Sequence, residues 1–277
     1  MILVTGHKGF IGSKIYNKLN QLNYDVIGID LKDGQDLAYC LPKNKKIDYV
    51  FHLAALPSVE FSVLNPSYTM QNNVLATSKL LEWSKDNNVK RFIFSSSSAI
   101  YGDGNGPKNP YGLQKYISEQ ECSLYSNLCK LDTVCLRYFN AYSEDQKYGG
   151  AYSTAINAWM EMIERNIPLR INGDGQQTRD FIHVSDIVEA NIACMTYKEN
   201  FNGKCLDVAS GQSISLNYIK DFINKYNKVE WINMPEREGD IKHSKSDISE
   251  ILKIGWYAKM SIDDGLSLCF RKNKNER

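Results

Sequence analysis

Covalent and metal cross-links have little to work with in this 277-residue sequence. Its seven cysteines, at 40, 122, 129, 135, 194, 205 and 269, form no Cys-x-x-Cys pair, and the odd number excludes a complete disulfide framework. Four histidines, without His-Glu-x-x-His or paired Cys/His spacing, leave no metal site. Neither sign of charge dominates: 33 Lys and Arg stand against 32 Asp and Glu, so no global field would hold nucleic acid or an anionic membrane. Any polyanion must therefore be met by local groups. No stretch approaches about 18 uninterrupted apolar residues, and the start MILVTG lacks the basic region and apolar run of a signal peptide. These absences imply a soluble, cytoplasmic protein with reduced thiols. The basic end RKNKNER reads as a solvated tail.

Short β-branched and aromatic runs are plentiful. ILVTG (2–6), DVIGID (25–30), DYVFHLAA (48–55), RFIFSS (91–96) and DTVCLRYF (132–139) alternate with longer helical patterns. Apolar strands separated by helices are what a parallel sheet covered on both faces requires. Asn65-Pro66 and Asn109-Pro110 each place a capping side chain before a proline suited to the first helical position. Ser261 followed by Asp264 has the spacing of a capping box. Beyond residue 144 the alternation loosens, with a helical stretch (155–165), a short strand (169–172) and then strand–helix pairs. The fold expected is α/β: a Rossmann doubly wound parallel sheet over residues 1–143, with a returning segment near 176–203, and a smaller C-terminal α/β substrate-binding domain over 144–277.

GHKGFIG (6–12) follows a strand and opens a helix. Gly6 suits a tight turn, Gly9 lets the backbone approach a pyrophosphate, and Gly12 allows close packing. The free N–H groups and dipole of the helix would then face phosphates. A triple-glycine pattern alone is weak, and this spacing is wider than G-x-G-x-x-G. Asp30 ends the next strand, 18 residues past Gly12, where a carboxylate would accept from the adenosine ribose hydroxyls. It would repel a 2′-phosphate, which favours NAD over NADP, although the nearby Lys32 would soften the repulsion. The competing reading of Asp30 is a turn residue.

In NPYGLQK (109–115) a helix begun at Pro110 stacks Tyr111 over Lys115 on one face. The pair is common on amphipathic helices. What sets it apart here is SSSSAIYG (95–102), leaving the strand RFIF at the C-terminal end, where open parallel sheets place their ligands. A free tyrosine has a pKa of about 10, so a base near neutral pH needs a shift of about 3 units, roughly 4 kcal/mol. A lysine ammonium and an oxidised nicotinamide ring, both close, are expected to supply it.

With these motifs the chain resembles the extended short-chain dehydrogenase/reductases, and within them the nucleotide-sugar 4-epimerases. The resemblance spans nearly the whole chain. It rests on TGHKGFIG (5–12), HLAALPSV (52–59), SSSSAIYG, PYGLQK, LRYFNAY (136–142), GDGQQTRDFIHVSD (173–186) and REGDIKHS (237–244). It implies that Tyr111 is the catalytic base, that Lys115 holds the nicotinamide ribose and lowers the tyrosine pKa, and that the Ser97 hydroxyl polarises the sugar oxygen. NAD would then be held by Gly6, Gly9, Phe10, Ile11 and Gly12 of the loop and by Asp30, with Asp36 and Leu37 toward adenine. Leu53, Ala54, Ala55, Asn73, Tyr111, Lys115 and Tyr138 complete that set. For the sugar nucleotide it implies Ser58, Ser97, Ser98, Asn140, Arg179, Arg237 and Ser244, with the two arginines on the diphosphate. Alternatives are surface ion pairing for the arginines and a strand-end cap for Asn140. The other serines of the run read as strand-end hydrogen-bonders, and Asp180 and His183 as supports for Arg179.

The implied reaction is 4-epimerisation of a UDP-sugar through a 4-keto intermediate, in a homodimer built from the helices after Asn65 and Asn109. Dehydratases of this scaffold carry an acid two residues before the tyrosine matching Tyr101. Ala99 stands there, so 4,6-dehydration is disfavoured. A 4-keto reductase would use the same Ser, Tyr and Lys but exchangeable reductant. A non-catalytic NAD-binding regulator is a rival that typically lacks the Tyr or Lys. Ser244, seven past Arg237, is small where relatives carry either Tyr or a small residue, which with LPSV favours UDP-N-acetylglucosamine, UDP-glucose also being accepted. Departures are the nine-residue loop between Tyr101 and Tyr111, the short segment after Asp30, Asp207 in place of Asn, and Ser143 in place of Gly.

Overall fold

The computed structural model describes residues 1–37, 39–146, 148, 154–236 and 242–271. Within the first half, strands β1 (Ile2–Thr5), β2 (Val26–Ile29), β3 (Tyr49–His52), β4 (Arg91–Ser97) and β5 (Asp132–Tyr138) alternate with helices α1 (Phe10–Gln21), α2 (Val59–Leu64), α3 (Pro66–Met70), α4 (Ala76–Asp86) and α5 (Pro110–Cys129). There follow β6 (Asn140–Tyr142), α6 (Ala155–Glu164), β7 (Leu169–Asn172), β8 (Thr178–Arg179), β9 (Phe181–His183), α7 (Val184–Thr196), β10 (Lys204–Val208), β11 (Ile214–Ser215), α8 (Leu216–Tyr226) and β12 (Trp231–Met234). Two helices, α9 (Ser249–Leu252) and α10 (Ile262–Phe270), end the described chain, so the expected strand–helix alternation stops at β12.

Six strands form one all-parallel sheet in the order β10-β5-β4-β3-β1-β2. The order reverses between β1 and β3, and ligands of such sheets bind outside the strand ends at that switch point. Alternate side chains serve two cores. Val4, Phe51, Ile93, Leu136 and Tyr138 pack under α1 and α7, while Leu3, Val50, Phe92, Phe94 and Cys135 pack under α4 and α5. A third core around Tyr142, Trp159, Phe181, Phe222 and Leu266 joins α6, α8 and α10 to β7 and β9. Doubly covered strands explain the continuous apolar runs.

The two Asn-Pro pairs behave differently. Asn109 caps α5 as expected, its side chain accepting from Gly112 N at 2.8 Å. Asn65 does not cap α3: it closes α2 as well, and both its backbone N and its Nδ2 bond to Phe61 O. The preceding helix has claimed the side chain. At α10, Ser261 accepts from Asp264 N and donates to its carboxylate at 2.6 Å.

Candidate active site

β1 and β3 end side by side, and their loops touch through glycine. A Cβ at Gly6 would lie 2.7 Å from Ala54 N, and the backbone there has φ +71°. At Gly12 a Cβ would lie 2.1 Å from Gly6 O, so the expected close approach is of α1 onto its own loop. Gly9 N-caps α1 and no side chain caps it, leaving the N–H groups of the first turn for an outside acceptor. Asp30 is buried at the end of β2. Its Oδ2 accepts from Lys8 N at 2.8 Å and its Oδ1 from Lys32 N at 2.9 Å, so the turn role is present. Each carboxylate oxygen keeps further acceptor capacity. A backbone cradle, open helix terminus and buried carboxylate in this order fit a dinucleotide.

Beneath Ala54 runs a chain of hydrogen bonds with settled proton positions. Thr77 Oγ1 donates to Asn73 O (2.6 Å), so the His52 Nε2 contact at 2.8 Å makes His52 the donor to Thr77. Nδ1 must then accept from Thr5 Oγ1 (2.7 Å), which in turn accepts from Ala54 N (3.3 Å). The ring is neutral: burial, with the Lys115 charge in second place, pushes its pKa down to about 3. Asn73 clamps the β3 loop, accepting from Leu56 N (2.7 Å) and donating to Leu56 O and to Gln114 Oε1. It stands as a support of the cradle. Leu37 is core, packed with Ile29, Val50 and Leu80, while Asp36 is half-buried at the head of a turn where its O accepts from Tyr39 N and Cys40 N. Tyr138 is buried too, its hydroxyl bonded to Ser95 Oγ (3.0 Å) and Asn191.

At the end of β4, Ser97 caps a 3-10 turn over Ser98–Ile100, its Oγ accepting from Ala99 N. The first turn of α5 presses on that turn at Gly112, where a Cβ would lie 2.5 Å from Ala99 O. Ser62 Oγ accepts from Tyr111 N (3.1 Å), holding the other side. This sets the Tyr111 phenol beside the Ser97 side chain, which favours its charged form. Lys115 is buried, its Nζ donating to Ser95 O at 2.7 Å, 4.7 Å from the Phe94 ring centroid and 5.9 Å from that of Tyr111. Ser97, Tyr111 and Lys115 are thus brought together from β4 and α5.

Their ionisation departs from expectation. Burial raises Tyr111 to about 12, opposed only by the Ser97 side chain, so the lysine by itself does not lower the phenol. Lys115 is itself pushed down to about 8 by burial. The cause is shared: a site dry enough for the chemistry penalises both charged forms.

A charged network that the sequence reading missed fastens this centre. Glu119, one turn after Lys115 and buried, accepts from Ser96 Oγ (2.6 Å) and takes a two-pronged contact from Arg137. Arg137 also donates to Tyr101 OH (2.7 Å), which donates to Asp207 Oδ1 (2.7 Å); Asp207 Oδ2 accepts from Asp247 N. Burial raises the Asp207 carboxyl. An arginine inside a central strand is the signal that could have found it, because a buried charge demands a partner. A cleft of about 360 Å³, lined by Tyr101, Asp207, Lys245, Ser246 and Asp247, opens beside the network.

On the C-terminal side, Asn140 donates from Nδ2 to Asp180 O (2.9 Å), a strand-end contact, and Arg179 NH1 donates to Thr178 O (2.9 Å) on β8. Asp180 supports the neighbourhood: it accepts from Ser210 N and Oγ, Gly211 N and Ser246 Oγ. His183 caps α7 and meets Glu144 at 3.0 Å. Ser244 N bonds to Thr178 O, and Ser58 caps α2 by accepting from Phe61 N. Arg237 and the tail beyond residue 271 lie outside the described residues.

Residues 2–209 match the NAD dependent epimerase/dehydratase family, and the chain belongs to it, with NAD as cofactor. Among its relatives, the UDP-glucose 4-epimerase of Rhizobium meliloti is 30% identical, the match covering 86% of each chain. The UDP-N-acetylglucosamine 4-epimerase of Methanobrevibacter ruminantium, solved with UDP-N-acetylmuramic acid, superposes with a TM-score of 0.87 at 34% identity, covering 97% of this chain and 96% of that one. The UDP-glucose 4-epimerase of Thermotoga maritima, solved with UDP-glucose, gives 0.86 at 31% identity and 97% coverage of both.

Proposed function

We propose that this chain is a UDP-sugar 4-epimerase acting on UDP-N-acetylglucosamine and UDP-glucose. The observation that carries it is the Ser97–Tyr111–Lys115 grouping beside the cradle at the sheet's C-terminal edge, in a chain similar to epimerases of both sugars. A nucleotide-binding domain over 1–143, with its returning segment, and a substrate domain over 144–277 would enclose the sugar nucleotide between them.

Tyr111 takes the C4 hydroxyl proton and gives it back after the sugar has turned its other face; Ser97 hydrogen-bonds the same oxygen and Lys115 holds the nicotinamide ribose. Lowering a phenol from about 12 to 7 requires about 7 kcal/mol. The Lys115 ammonium, 5.9 Å from the Tyr111 ring centroid, does not supply it alone. NAD, when bound, would serve as acceptor and then donor of the C4 hydride and, in its oxidised form, would bring positive charge toward the phenol. Phe10 and Ile11 would offer first-turn amides to its pyrophosphate, opposite Leu53, Ala54 and Ala55. Arg179 and, by the resemblance, Arg237 would bind the sugar diphosphate with Asn140 near it, Ser244 would lie beside the sugar C2 substituent, and Ser58 and Ser98 would meet the rest of the sugar nucleotide.

We read the active form as a cytoplasmic homodimer. Leu113, Tyr116, Leu124 and Leu128 form an exposed stripe on α5, and Leu64, Tyr68 and Leu75 continue it on the neighbouring helices. Between them Glu121 Oε2 is buried without a partner among the described residues. Such a face suits a second copy meeting helix against helix.

Incubating the purified protein with each sugar nucleotide and analysing the products tests the reading. Interconversion of the N-acetylglucosamine and N-acetylgalactosamine forms is expected; turnover of UDP-glucose alone would reject the wide pocket at Ser244.

A further inference from the structure

We infer that Asp33, together with Asp30, sets the preference of the cradle for a dinucleotide without a 2′-phosphate, by holding Lys8 in an ion pair. This deepens the cofactor assignment and rests on it. Asp30 already shares both carboxylate oxygens with backbone amides, those of Lys8 and Lys32, and each of these residues carries an ammonium. Two lysines beside one carboxylate would leave the end of β2 net positive. That is a setting a phosphate monoester, with a charge near −2, would recognise.

Asp33 neutralises that excess. Its Oδ1 pairs with Lys8 Nζ, and His7 Nε2 stands 3.4 Å from its Oδ2. Lys32 is engaged by the loop, its Nζ donating to Lys8 O at 3.0 Å. Two carboxylates therefore answer two ammonium groups, and one of those is tethered while the other is engaged with a loop carbonyl. Gly28 makes the arrangement possible, since a Cβ there would come within 2.4 Å of the His7 ring and push the loop off β2. Asp33 is 28% exposed and Lys8 46%, so the pair contributes little to stability and its loss leaves the fold intact.

The test is competition at equilibrium between NAD and NADP, with bound cofactor counted by native mass spectrometry, a readout independent of turnover. In Asp33→Asn the ratio of the NADP and NAD dissociation constants is expected to fall about tenfold, through tighter NADP binding. Adding Lys8→Ala restores the wild-type ratio. Normal NAD uptake with an unchanged ratio overturns the assignment of Asp33 alone, as does a gain that persists without Lys8. Wild-type protein that takes up neither dinucleotide overturns it together with the cradle on which it rests.

Discussion

At the β1–β3 end of the sheet, contacts are made by backbone: Gly6 against Ala54, Gly12 against Gly6, and amides of Lys8 and Lys32 on Asp30. At the β4 end, Tyr111 and Lys115 are side chains that α5 must deliver to Ser97 and the Ser95 carbonyl, and the delivery depends on Gly112, Ser62 and Glu119. The first region is made of backbone contacts and tolerant of surface change. The second is made of side chains, dry, and costly to charge. They should therefore fail in different ways, and separate perturbations can tell them apart.

The largest expected effect is on the side-chain region alone. Tyr111→Phe should reduce turnover about 10³-fold, with bound NAD retained as counted by mass spectrometry. Unchanged turnover would remove Tyr111 from the mechanism.

Acid should attack the cradle. His52 keeps its pKa near 3 in the fold against about 6.5 when exposed, so between those values the unfolded chain binds the extra proton. Stability is then present above pH 6.5 and lost as pH falls, by roughly 3 kcal/mol at pH 4. His52→Gln should flatten that part of a denaturant titration. A slope identical to wild type would show that the ring is not the acid-sensitive group.

Alkali should relieve the side-chain region. With Lys115 near 8 in the fold and 10.5 unfolded, the folded state carries the full burial penalty below pH 8 and sheds it as pH rises toward 10.5. Lys115→Met should therefore stabilise the cofactor-free protein at pH 7 by about 2 kcal/mol, once the lost Ser95 bond is counted, and by less at pH 10. Equal gains at both pH values would contradict a buried ammonium.

The smallest effect sharpens the boundary between the regions. Gly112→Ala forces α5 from the Ala99 carbonyl and should slow turnover by about tenfold without changing NAD content. Loss of NAD with unaltered turnover per bound cofactor would place Gly112 in the cradle instead.

Legibility followed the same division. The five early strands, the glycine loop and Asp30 were readable because each is a run of neighbours whose pattern carries its meaning. Tyr111 and Lys115 were readable from helical spacing. Glu119, Arg137, Tyr101 and Asp207 were not, since their partnership spans more than a hundred residues and only strand order brings it together. Asn65 shows the converse: its local signal was sound, but the preceding helix competed for the same side chain. Leu37 and Tyr138 looked like cofactor neighbours, and the structure buries Leu37 in the core and engages the Tyr138 hydroxyl.

By itself the sequence determined the parallel α/β architecture and the family chemistry, because continuous apolar runs, period-3.6 patterns and short motifs act over a few residues. Only the tertiary structure decided how the phenol and ammonium ionise. Burial raises one and lowers the other, and dehydration depends on everything packed around a group rather than on its neighbours in the chain.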